Sequence, residues 1–104
     1  MKTPHEIAML ALAEFASEHT GIRRMHIDDC LVKTEEGGRR ENWQTFAMCM
    51  SNDQEDFQVN AEILVSLRPS TNSCAVAICL KGYRAPHAKG WLYPNQWDHR
   101  HIGI

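Results

Sequence analysis

No stretch of this chain is apolar enough to cross a membrane as a helix. The longest nearly apolar run, Ile7 to Ala13, falls far short of the ~20 residues a bilayer core demands. The start does not read as an export signal either. Met1-Lys2-Thr3-Pro4-His5-Glu6 puts an acid and a helix start where a secretory peptide carries its basic flank, and no cleavage pattern follows. A basic excess is missing too: 11 Lys and Arg stand against 13 Asp and Glu, and the pI is about 6.3. Duplex-binding domains usually carry a clear positive excess. Recognised catalytic patterns are also lacking, with no nucleophile elbow, no glycine-rich phosphate loop and no His-Glu-x-x-His. These absences point to a cytosolic protein that is not an enzyme of a familiar kind.

What is present is an ordinary globular composition. The chain has 104 residues, 43% hydrophobic and 23% charged, which suits one domain over 1–104 with a modest core. Four cysteines, Cys30, Cys49, Cys74 and Cys79, lack the setting of a disulfide framework and are expected as reduced thiols. Cys49 and Cys79 sit among apolar neighbours, where cysteine acts as a small hydrophobe. Charge is lopsided. Residues 1–56 carry eleven acids against six Lys and Arg, whereas residues 57–104 carry only Glu62 and Asp98 against five cations. No internal repeat or low-complexity segment interrupts the chain.

The clearest local signal is at the start. Thr3-Pro4-His5-Glu6 offers an N-cap, a proline at the first helical position and a glutamate able to close a capping box. A helix over 4–19 follows, ending near Gly21, which can take the left-handed cap. Ala8, Leu12, Phe15 and Ala16 share one face, while Leu10 falls among the polar residues opposite. The sheet wraps this helix, or a second copy covers it. After Gly21 the period changes to two. Strands are expected over 23–33, 43–50, 57–68 and 74–83, with a glycine-centred turn at 35–40 and polar turns at 51–56 and 69–73. Short connections favour antiparallel neighbours. The expected fold is α+β: one N-terminal helix on a four-stranded antiparallel meander, or five-stranded if the C-terminal segment 84–104 joins it. The aromatic part of that segment is expected to cap the sheet. The layout resembles that of many small folds, cystatin-like ones among them, and this likeness of architecture implies no function.

The C-terminal segment holds the candidate residues. It ends Trp97-Asp98-His99-Arg100-His101-Ile102-Gly103-Ile104, so that on a strand His99 and His101 share a face and could chelate one ion. They lack evident further ligands; His87, Cys30 or His26 would have to complete the set. For nucleic acid, Lys81, Tyr83, Arg84, Lys89 and Trp91 mix cations with rings that stack on unpaired bases. For a protein partner, Arg84, Trp91, Tyr93, Trp97 and Arg100, with Leu10 of the helix, are the residue types that carry interface energy. The last reading needs no catalytic or cofactor motif. It describes a regulator or inhibitor that occludes a larger protein, a mode common among phage and plasmid products, with a homodimer as a further expectation. The alternatives are a single-stranded nucleic-acid binder and a small enzyme or metal protein using His and Cys.

Overall fold

The structure, a computed structural model, describes residues 2–52, 57–68, 73–85 and 89–103. Parts of the expected turns at 51–56 and 69–73, together with Pro86 and His87, lie outside the described residues. The elements are α1 (Pro4–Thr20), α2 (Arg24–Asp28), β1 (Leu31–Arg40), β2 (Trp43–Ser51), β3 (Gln58–Arg68), β4 (Ser73–Arg84) and β5 (Trp97–Gly103). The strands form one antiparallel sheet in chain order, β1-β2-β3-β4-β5, with α1 packed on one face. The α+β meander is therefore five-stranded. No helix among the described residues is long and apolar enough to cross a membrane.

The termini of α1 follow from local chemistry. The Thr3 side chain accepts the Glu6 backbone N–H at 3.1 Å, filling one of the helix's orphan donors. At the other end Gly21 takes φ 73°, and its N–H reaches the Ser17 carbonyl at 2.9 Å. Only glycine adopts that left-handed cap without crowding a Cβ. Ile7, Ala8, Ala11, Leu12, Phe15 and Ala16 are buried against Phe46, Met48 and Met50 of β2, Val59, Ile63 and Val65 of β3, and Val76, Ile78 and Leu80 of β4. In each strand these are alternate residues, so one face is apolar and faces the helix. His5 ties α1 to β1 through Thr34, at 3.0 Å.

Three expectations are corrected. The strand expected over 23–33 is α2 followed by β1, which starts only at Leu31. Met25 and Ile27 do not alternate on a strand. Ile27 is buried beneath α1 while Met25 is exposed, and Arg24 pairs with Asp28 one helical turn on at 3.0 Å. The turn expected over 35–40 is the second half of β1, with Gly37 and Gly38 in a bulge between Glu36 and Arg39. There the Thr45 hydroxyl donates to the Gly38 carbonyl at 2.8 Å. The reversal itself is made by Glu41 and Asn42, with Glu41 at φ 58°. Finally, Leu10 is half-buried rather than exposed. The sheet and α2 together enclose most of the apolar surface of α1.

Cys74 and Cys79 are buried, Cys30 and Cys49 half-buried, and none of the four is in a disulfide. Burial pushes the Cys74 thiol pKa up, which leaves less reactive thiolate.

Candidate functional site

The face of the sheet away from α1 carries the polar alternate residues, arranged by register into rows across the strands. Glu35, Ala47, Glu62, Cys79 and Trp97 form one row, and Lys33, Cys49, Asn60 and Gly82 the next. Small side chains at the centre leave a trough of about 630 Å³ lined by Lys33, Glu35, Thr45, Ala47, Cys49, Asn60, Glu62 and Lys81. Its charges alternate in sign. Lys81 pairs with Glu62 at 3.5 Å and holds its ammonium 5.6 Å from the centre of the Trp97 ring, within cation–π range.

Aromatic residues wall one side. A bridge between Tyr83 and Leu92, with bonds of 2.9 and 2.8 Å, brings the chain back beside β4 before β5 begins. Trp91 and Tyr93 flank Leu92 and lie over Gly82, where a Cβ would sit 3.2 Å from the Tyr93 ring and 3.5 Å from Trp91. The absent side chain at position 82 thus makes room for both rings. The expected capping by aromatic residues occurs at this corner, while Trp97–Gly103 pairs with β4 as an edge strand. Replacing Gly82 with valine is expected to lift both rings. In a protein with Trp43 and Trp97 changed to phenylalanine, the emission of Trp91 should then shift to the red; an unchanged spectrum would mean the rings do not rest there.

Along β5 exposure alternates. Trp97, His99 and His101 are exposed on the outer face, and Asp98, Arg100 and Ile102 turn toward the helix side. The two histidines share a face, as strand geometry requires. No group of three or more His, Cys, Asp or Glu side chains among the described residues is placed to hold a metal ion. Arg100 is engaged within the fold. Its guanidinium grips both carboxylate oxygens of Glu18 on α1, one at 2.9 Å, reaches Asp98 at 3.2 Å, and lies 4.8 Å over the Phe15 ring. The hydrogen bond from Arg100 holds the Glu18 carboxyl below the usual carboxylate range, and Glu18 in turn raises the Arg100 pKa further.

The residues grouped in the sequence for a protein partner are therefore divided. Trp91, Tyr93 and Trp97 stand on the outer face and Arg84 is placed by register at its end, whereas Arg100 faces inward and Leu10 is on the helix. The nucleic-acid set is divided as well. Lys81 is on the outer face beside an acid, Lys89 is exposed, and Tyr83 packs against the core. None of the trough residues Lys33, Glu35, Thr45, Asn60 and Glu62 is among the candidate site residues read from the sequence. Their signal was the polar half of each alternating strand, which becomes a site only once the register is known. Compared with protein-family models, with curated proteins and with solved structures, the chain matches none.

Proposed function

We propose that this chain is a small cytosolic protein-binding domain, a regulator or inhibitor that covers part of a larger protein with the outer face of its sheet. The observation that carries this reading is the gathering of large apolar side chains at one edge. Tyr93 and Trp97 are 66% and 44% exposed, beside Trp91 and next to a lysine stacked on Trp97. Aromatic side chains left in water beside a polar trough are what a protein interface with a polar rim requires. The interleaved charges, Lys33 and Lys81 among Glu35 and Glu62, suit a partner surface of mixed sign. They suit a polyanion less well, because two carboxylates lie where phosphates would approach.

The test is affinity capture from the native host's lysate, divided into nuclease-treated and untreated halves. The reading expects a discrete protein retained in both halves. Material lost on nuclease treatment would transfer the outer face to a single-stranded nucleic acid, with Lys81, Lys89 and Trp91 as its contacts.

A further inference from the structure

The two edges of the sheet are built differently. β1 is bulged between Glu36 and Arg39 and exposes charged side chains along its length, devices that keep an edge strand from pairing. β5 has neither bulge nor lysine nor proline, and matches β4 through seven consecutive residues without a shift. The hydrogen bond from the Asn95 N–H to the Leu80 carbonyl, 3.0 Å, sets which residues of the ladder face inward. Even-numbered positions of β5 bond to β4, and odd ones turn their N–H and C=O to the open edge. The His99 N–H agrees with this, donating at 2.9 Å to the neighbouring Asp98 carboxylate.

The open edge is complementary to itself. Read antiparallel about a two-fold axis through His99, Trp97 stands opposite the partner's His101, Asp98 opposite the partner's Arg100, and His99 opposite its own copy. Rings meet rings on the outer face, and opposite charges meet on the helix side, which favours cross-strand pairing. Shifting the axis to Arg100 would set two guanidinium groups against each other, which disfavours that register. We propose that β5 pairs with β5 of a second copy about the axis at His99, joining two five-stranded sheets into one continuous sheet with both α1 helices on the same side. This inference goes beyond the protein-binding reading and does not rest on it.

Sedimentation equilibrium on the full chain, from micromolar to millimolar concentration and at low and high salt, tests the pairing. A reversible dimer that weakens with salt is expected, since Asp98 and Arg100 are partly exposed. His99→Pro removes an outward N–H, together with its exposed bond to Asp98, and should raise the dimer dissociation constant about tenfold or more while keeping the fold. His99→Lys, which sets like charges opposite each other, should do the same if proline perturbs the strand. Mild oxidation of His99→Cys should join the two copies by a disulfide through position 99. Opposed residues that exchange both bonds lie about 5.5 Å apart at Cα, a span a disulfide bridges. A chain monomeric at every concentration overturns the proposal, and so does a dimer that neither His99→Pro nor His99→Lys weakens or that His99→Cys does not link.

Discussion

Replacing Tyr93 and Trp97 together with alanine is expected to weaken binding of the captured partner by about a hundredfold or more. Buried aromatic anchors at interfaces commonly carry ~2 kcal/mol or more each, and two neighbouring ones do not add fully. The cost to the fold should be much smaller. Both rings are substantially exposed, and the main losses are the cover over Gly82 and the Lys81 contact with Trp97, together about 1 kcal/mol. Calorimetric titration of the partner and thermal unfolding of the variant separate the two effects. Met25, 62% exposed on α2, provides the control. Its replacement with alanine should leave binding intact, and a loss equal to that of the aromatic pair would mean the contact surface has been placed wrongly.

The second large effect is expected from Arg100→Ala, and it should fall on the fold. The Arg100 side chain is 19% exposed and Glu18 is 58% exposed, so the ion pair is partly screened. Allowing for that, the lost hydrogen bonds and the contact with Phe15 should cost about 1–2 kcal/mol. Amide exchange should rise most in β5, which is an edge strand joined by Arg100 to Glu18 of α1. The dependence on acid has a definite sign. The folded Glu18 pKa is lowered, chiefly by the hydrogen bond from Arg100. Its contribution is therefore present above the unfolded glutamate pKa, near 4.3, and is lost as pH falls through the lower folded value. Wild type and Arg100→Ala should differ most in unfolding midpoint at neutral pH, and the gap should narrow in strong acid as Glu18 is protonated. A gap undiminished in strong acid would locate the effect in packing on Phe15 rather than in the pair.

The parts of the fold legible in the sequence were those governed by neighbours in the chain. Thr3, Pro4 and Gly21 bound α1 because capping is local, and Phe57 to Leu67 reads as a strand because alternation on a half-buried sheet leaves little choice. The segment after Gly21 was misread because the spacing from Met25 to Ile27 fits a strand, whereas a helix as short as α2 exists only through tertiary packing, here the insertion of Ile27 under α1. Gly37 and Gly38 resemble a reversal, yet the backbone reverses three residues after Gly38, at Glu41. The candidate site shows the same division. Alternation placed His99 and His101 on one face of β5, where they lie. It could not reveal that Arg100 would meet Glu18, 82 residues away. On a regular strand Lys81 and Tyr83 share a face, but the register shift at Asn60/Ala61 pairs Gly82 with Asn60 and turns Tyr83 into the core.

In the proposed complex the aromatic side of the outer face meets another protein. A photoreactive phenylalanine analogue placed at position 93, and separately at the exposed helix position 14, tests it most directly when both proteins are irradiated in the native host. A discrete protein adduct from position 93 alone, diminished when Trp97→Ala is added, is expected. Equal adducts from both positions, or adducts to nucleic acid alone, would contradict it.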